Sequence, residues 1–479
     1  MEKVLRKIEK LIPKKIYKFF QPYYHYLLML VGIVIYRLPG RRIHIIAITG
    51  TKGKSTTTEY VNAVLEAAGY KTAILSTIKF KIGDNVRENK YKMTMPGRFF
   101  VSRFVHDAEK AKCDFAIIEM TSEGARYYRH RGLDIDTLIF TNLTPEHIDS
   151  HGSFENYLKA KLSIAKSLER SKKGYKRIIV NSDDIHAPEF LVYKVHEKVG
   201  YRLHDWDAKY KHIKINLPGE FNKMNALAAI TLGESLHIDI DYIRKGIESL
   251  KLVRGRCEEI AYNENIIAVI DYAHTPESLE KMYKLYSSNS TVNTIIAVLG
   301  GTGGGRDKGK RRIMGELASK YAVKVFITDE DPYDEDPLSI MRDVAAGATD
   351  ESIANKNVLK DKVEIVESRR EAGGLAEHHV AGTVIGDIAD ARAIGADDQA
   401  PRRHALQQAL GTAQRREVRG ERVPRAVAVA GLEAAVHQRA VDAHVGARAR
   451  LPAAGDSGRT AAHQPPVTGR SIRRAASRG

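Results

Sequence analysis

The run Thr49-Gly50-Thr51-Lys52-Gly53-Lys54-Ser55-Thr56 combines glycines, lysines and hydroxyl side chains in a spacing suited to phosphate chemistry. Glycines let a backbone turn tightly enough for successive N–H groups to face phosphate oxygens. A helix opening at the same point adds the partial positive charge of its N-terminus. Lys54 is placed to reach terminal phosphates, and the Ser55 hydroxyl suits Mg²⁺. Gly50, Thr51, Gly53, Lys54, Ser55 and Thr56 are therefore candidate ATP-binding residues. The alternative is a glycine turn that merely precedes a helix. The spacing between the glycines is also shorter than in the common G-x-x-x-x-G-K-[ST] form.

Such a loop requires a strand behind it and a helix ahead of it, and the pattern supplies both. Apolar runs of β type lie at 43–48, 72–75, 115–118, 138–140 and 178–180, with helical patterns at 58–68 and 154–168 between them. A second series starts near Arg256, with strands at 266–270, 294–299, 323–327 and 363–366 and helices at 276–286, 310–321 and 337–346. Strands alternating with helices imply mostly parallel sheets covered by helices, here as two α/β domains in tandem.

The 479 residues exceed one compact domain, and 43% apolar content is ordinary for globular cores. A formal net charge of +17 fits nucleic acid, an anionic membrane face or a polyanionic small substrate. Cys113 and Cys257 are the two cysteines, with no CxxC pair, which excludes a disulfide scaffold and fits a reducing cytoplasm. Basic residues from Lys3 to Lys18 precede an apolar stretch at 23–36, and Arg37, Arg41 and Arg42 follow it. That stretch is shorter than the ~20 residues a spanning helix needs, and no small-residue cleavage site follows. It is either a helix packed on the body or an interfacial anchor with its cations at the headgroups.

The composition changes abruptly near Ala372. From 373 to 479 there is no Lys, Phe, Tyr, Trp, Met, Cys or Asn, and Ala, Arg, Gly and Val dominate. A segment without aromatic residues buries little area against its ordering entropy, so disorder is expected for 372–479. The other readings are an Arg-rich nucleic-acid tail, or a frameshift or assembly join that replaces the natural continuation.

Taken with its surroundings, the loop resembles that of the Mur ligase family, G-T-[NK]-G-K-[ST]. Six further segments fall in the family's order. They are IIEMTS at 117–122, TNLTPEHIDSHG with ENYLKAK at 141–161, GEFNKMN at 219–225, GRCE at 255–258, DYAHTP at 271–276 and GGGRDKGKR at 303–311. The resemblance implies a central P-loop ATPase-type, mostly parallel sheet domain at 42–254 and a Rossmann-like C-terminal α/β domain at 255–371. The N-terminal UDP-binding domain would be reduced to a short apolar helix within 1–41. It implies an ATP-dependent amide ligase of peptidoglycan-precursor synthesis. The nearest branch is the tripeptide synthetase, which adds a diamino acid to UDP-N-acetylmuramoyl-L-Ala-D-Glu through an acyl phosphate.

By the same resemblance Lys54, Glu119, His147 and Lys161 are catalytic. Ser55 and Glu119 would hold one Mg²⁺, and His147 and a carbamylated Lys161, together with Glu119, would serve a second. Asn222 and Asn225 either cap their helix or contact the nucleotide base. Arg256, Asp271 and His274 would reach ATP from the second domain, Asp271 from a strand end where open α/β sheets bind ligands. Thr121, Ser122, Arg306, Asp331 and Tyr333 would contact the substrates.

Three departures bear on specificity. About forty residues precede the loop, too few for the family's UDP-sugar domain. The amino-acid-selecting motif resembling DNPR reads Glu330-Asp331-Pro332-Tyr333, with Tyr333 where an arginine would pair with the distal carboxylate of diaminopimelate. The Lys-free tail stands where a Gly-Lys-Gly substrate loop would follow. The alternatives are a lipid-linked-precursor amidating subunit, folylpolyglutamate synthetase, or an inactive chain with a truncated last domain. No nucleic-acid partner is expected; peripheral contact of 18–42 with the inner membrane face is one of the two readings of that segment.

Overall fold

The computed structural model describes residues 14–384, except 92, 98, 147, 264–265, 305–307 and 350–361, together with 425–430. The chain divides between Val253 and Arg254 into two compact units.

In the first unit six strands run parallel in the order β2 (Thr72–Leu75), β5 (Phe115–Glu119), β1 (His44–Thr49), β6 (Thr137–Phe140), β7 (Arg177–Asn181) and β8 (Glu197–Tyr201). Beyond β2, the strands β3 (Lys79–Ile82) and β4 (Asn85–Glu88) extend the sheet antiparallel. Its helices include α1 (Lys14–Ile35), α2 (Lys54–Ala67), α3 (Phe100–Lys110), α4 (Ser122–Arg126), α5 (Phe154–Glu169), α6 (Phe221–Ser235) and α7 (Ile240–Ser249). Side chains alternate across a strand, so successive residues of β1 serve opposite faces. Ile46 and Ile48 join Tyr60 and Val64 of α2, Ala229 of α6 and Ile243 of α7. Ile45 and Ala47 join Phe104 of α3 and Ile164 and Leu168 of α5. Burial on both faces explains why these strands read as continuous apolar runs.

The second unit holds a sheet in the order β13 (Val363–Ile365), β12 (Lys324–Asp329), β11 (Val292–Gly301), β14 (Arg425–Ala430), β10 (Ile266–Ile270) and β9 (Glu258–Asn263). Among the described residues only the β9–β10 pairing of this sheet is antiparallel. Helices α8 (Pro276–Ser287), α9 (Gly309–Tyr321) and α10 (Pro337–Ala348) pack on one face, and α11 (Arg369–Val384) on the other.

Two expectations differ from what is seen. The N-terminal helix is longer than the apolar stretch, because it starts at Lys14 within the basic run. The expected disorder from residue 372 does not describe 372–384 or 425–430. Helix α11 crosses that boundary unbroken, with Ala372 and Ala376 fully buried against β10, β11 and β12. Strand β14 pairs in parallel with both β10 and β11. A strand flanked on both sides gains its ladder from its neighbours' backbones, which compensates for small side chains. The other tail residues lie outside the described ones.

Candidate active site

The phosphate loop leaves the C-terminal end of β1 and enters α2. Gly53 has φ 80° at the helix entry, and a Cβ there would stand 2.3 Å from Asn225 Oδ1. A Cβ on Gly50 would stand 1.9 Å from Thr141 Oγ1. Both positions therefore require glycine. The segment after β6 grips the loop from outside. The Thr51 N–H donates to the Asn142 carbonyl and the Lys52 N–H to Asn142 Oδ1, each at 2.8 Å. Thr141 Oγ1 donates to the Lys52 carbonyl at 2.7 Å, and Lys52 pairs with Glu146 at 3.0 Å. These two N–H groups serve the loop's own shape. The anion-facing donors are accordingly those of the first turn of α2, where a helix has no internal acceptors.

Lys54 Nζ donates to the carbonyls of Gly50 and Thr51, both at 2.9 Å. Lys161, on α5, reaches the same Gly50 carbonyl at 2.8 Å. Burial, and then the charge of Lys54, hold the Lys161 amine well below the usual lysine range. Tyr157 stands one turn earlier on α5. Its ring lies under Lys161 Nζ at 4.9 Å, and its hydroxyl shares a 2.9 Å hydrogen bond with Thr51 Oγ1. The His151 ring packs edge-on against Tyr157 at 5.4 Å, and its Nε2 meets Ser122 Oγ at 3.1 Å. Burial, with Arg126 and Lys161 nearby, lowers the His151 pKa and favours the neutral imidazole.

Glu119 ends β5 beside Ile48 of β1, one residue before the loop's approach, and is fully buried. Thr77 Oγ1 donates to Glu119 Oε2 at 2.9 Å. Ser55 lies in the first turn of α2. Among the described residues no group of three His, Cys, Asp or Glu side chains gathers to hold a metal. A hydroxyl and a carboxylate nonetheless suit Mg²⁺, which takes one or two protein oxygens and completes its shell with water and phosphate. His147 lies outside the described residues.

Asn222 and Asn225 do not cap α6, whose N-cap is Glu220. They form a buried chain instead: Asn222 Nδ2 donates to the Pro218 carbonyl at 2.7 Å, and Asn225 Nδ2 to Asn222 Oδ1 at 2.9 Å. Thr57 Oγ1 of α2 then donates to Asn225 Oδ1 at 3.3 Å. Thr121 caps α4 by accepting from the Gly124 N–H at 3.0 Å.

In the second unit Asp271 follows β10 and accepts from the Cys257 and Ala273 N–H groups, each at 2.7 Å. Arg256 lies over the Tyr272 ring at 4.8 Å. His274 Nδ1 meets the Tyr272 carbonyl at 2.9 Å, and Lys310 Nζ donates to the His274 carbonyl at 3.0 Å. Beside them opens a small pocket lined by Asp271, Tyr272, Met282, Tyr283, Glu330 and Arg369. Burial raises the Glu330 pKa, against the opposing charge of Arg369. Tyr333 is 59% exposed with φ 55°, close to Gly304. Arg306 lies outside the described residues.

The first unit thus brings together Gly50, Thr51, Gly53, Lys54, Lys161, Asn225 and the Glu119 strand end; the second gathers Arg256, Asp271 and His274. Thr77, Asn142 and Tyr157 were not singled out from sequence. Tyr157 had a signal: four residues before Lys161 on a helix, it shares that lysine's face. Thr77 had none.

Residues 48–233 match the Mur ligase middle domain, and residues 255–385 match the Mur ligase glutamate ligase domain. The chain is 34% identical over 365 residues to UDP-N-acetylmuramoyl-L-alanyl-D-glutamate–2,6-diaminopimelate ligase 1 of Clostridium acetobutylicum, covering 71% of each. It is 35% identical over 351 residues to UDP-N-acetylmuramyl-tripeptide synthetase of Roseiflexus sp., covering 66% of this chain and 68% of that one. Mycobacterium tuberculosis folylpolyglutamate synthase, solved with ADP and AMPPCP, superposes with a TM-score of 0.61 at 14% identity, over 85% of this chain and 92% of that one. That last likeness is one of fold.

Proposed function

The chain belongs to the Mur ligase family, and from that premise we propose that it joins a diamino acid to UDP-N-acetylmuramoyl-L-alanyl-D-glutamate at the expense of ATP. The observation that carries this reading is the loop in which Lys54 and Lys161 share the Gly50 carbonyl beside the Glu119 strand end. In the first step an acceptor carboxylate oxygen attacks the γ-phosphorus and the bond to the β–γ bridging oxygen breaks, leaving ADP and an acyl phosphate. In the second the amine attacks the acyl carbon, loses a proton, and the tetrahedral anion collapses with release of phosphate.

Lys54 and the first turn of α2 meet the charge on the phosphoryl oxygens as it moves. Ser55 and Glu119 would hold Mg²⁺, which neutralises charge on the β- and γ-phosphates. A buried, neutral Lys161 amine can take up CO₂ as a carbamate with loss of one proton, converting the side chain into an anionic oxygen ligand. His147 would complete that second site. Asn222 and Asn225 serve the nucleotide, as do Arg256, Asp271 and His274. Thr121, Ser122, Arg306, Asp331 and Tyr333 orient the peptide and the incoming amino acid. Tyr333 offers no cation for a distal carboxylate, which favours diamino acids that lack one, such as lysine. The setting is the cytoplasm, at the inner face of the membrane.

Phosphate release from ATP, measured with the UDP-linked dipeptide and a panel of diaminopimelate, lysine and ornithine, tests the reading. Release that needs both the acceptor and one amino acid is expected, and its loss on chelation of Mg²⁺ tests the metal. No release with any pair would overturn the assignment.

A further inference from the structure

Helix α1 has two apolar faces, and packing accounts for one. His25, Leu28, Met29, Gly32 and Ile33, with Tyr36 just beyond, recur at the helical period and are buried or half-buried. The His25 and Tyr127 rings lie 4.6 Å apart, and those of Tyr36 and His106 5.4 Å apart. Gly32 is a point of close approach, where a Cβ would touch Phe99 and Ser102 at 3.4 Å. The other face carries Tyr23, Leu27, Leu30, Val31 and Val34, which are 65, 59, 40, 37 and 76% exposed. These five sit at i, i+4, i+7, i+8 and i+11, a continuous stripe rather than scattered exposure.

The charge around the stripe is one-sided. Residues 1–42 contain ten Lys and Arg against Glu2 and Glu9, and α1 contains no acidic residue. Arg41 pairs with Asp134 at 3.0 Å and Arg42 with Glu109, so both tie the helix end to the body. The remaining cations precede the stripe, from Lys3 to Lys18, with Arg37 following it.

We infer that this stripe docks α1, lying flat, into the headgroup layer of an anionic lipid bilayer. This deepens the inner-membrane setting proposed above and stands apart from which amide is formed. Charge complementarity selects the occupant: anionic headgroups neutralise the flanking cations, whereas a second copy would bring two such segments together. Tyrosines at the stripe's start suit the interface between tails and headgroups. Among the described residues no helix is long and apolar enough to cross a membrane, so the helix lies on the bilayer. The stripe runs for about 17 Å at the helical rise.

Flotation of the full chain with phosphatidylcholine vesicles, with and without phosphatidylglycerol, tests this. Binding at least tenfold stronger to the anionic vesicles is expected, weakening in high salt. The double variant Leu27→Gln, Val34→Gln changes only exposed positions and should lose tenfold or more of the binding while retaining phosphate release with the soluble acceptor. Replacing Lys14, Lys15 and Lys18 with Gln should cost roughly fivefold per lysine on anionic vesicles. Equal binding to both vesicles, or a double variant that binds like the parent, would overturn the proposal. So would a concentration-dependent dimer that the double variant abolishes in a chain that ignores vesicles. Failure of the ligase reading would appear separately, in the phosphate-release arm.

Discussion

Lys54 and Lys161 donate to one and the same acceptor, the carbonyl oxygen of Gly50, at 2.9 and 2.8 Å. Two ammonium groups so close, one of them fully buried, repel each other and lack solvation. The conflict falls on Lys161: burial, with Lys54 alongside, drives it toward the neutral amine.

Lys54→Ala therefore removes the cation that meets the transferring phosphoryl group. The expected loss in kcat is about 10²- to 10³-fold, with an unchanged circular dichroism spectrum. Phosphate release together with the spectrum checks both parts, and retained turnover would contradict the assigned role.

Lys161 gives the first unit a pH dependence of predictable sign. Its folded pKa lies below the unfolded value of about 10.4, so between the two the unfolded chain holds a proton the native one lacks. Stability then rises with pH across that window and levels off above it. In CO₂-depleted buffer the urea midpoint should rise from pH 7 to pH 9 more in the parent than in Lys161→Met. Added bicarbonate should raise ligase turnover in the parent and leave Lys161→Met inactive.

Gly53→Ala meets two obstacles together, a φ of 80° and Asn225 Oδ1 at 2.3 Å. The helix entry and the Asn222–Asn225 chain cannot both be kept, so ATP affinity should fall at least tenfold, about 1.4 kcal/mol. Titration with a fluorescent ATP analogue measures it; Gly69→Ala, with nothing within 4 Å of its Cβ, serves as the control for positive φ alone.

Tyr333→Arg should shift selectivity toward diaminopimelate, because a guanidinium can pair with a second carboxylate in two hydrogen bonds. The ratio of kcat/KM for diaminopimelate over lysine is expected to rise at least tenfold. An unchanged ratio would mean that another residue reads the distal end.

Val427→Pro removes one ladder donor from a strand flanked on both sides and strains its backbone. The second unit should then unfold at markedly lower urea while the first unit's transition stays put, as two-step denaturation would record.

Much of this architecture was legible because buried parallel strands announce themselves as apolar runs. The 72–75 run matches β2 residue for residue, and 115–118 falls one short of β5 because the buried Glu119 breaks the apolar pattern. β3 and β4 were missed because neither Lys79-Phe-Lys-Ile nor Asn85-Val-Arg-Glu is a continuous apolar run: charged residues interrupt β3, and the edge strand β4 is fully exposed. The loop glycines and Lys54 were readable from spacing alone. The pairing of Asn225 with Gly53 was not, since it depends on where α6 meets α2 in space. β14 was invisible for a different reason: Arg-Ala-Val-Ala-Val-Ala resembles its surroundings, and only two waiting neighbours make it a strand.

The place of β14 also sets a schedule for synthesis. Ile266 pairs with Ala426, so the centre of the second sheet stays open until residue 430 has been made. At about 5–20 residues per second, the facing edges of β10 and β11 are exposed for roughly ten to thirty seconds after β10 emerges. Unpaired parallel edges are prone to wrong partners during that interval, so the yield of native protein should depend on chaperone supply more for this unit than for the first.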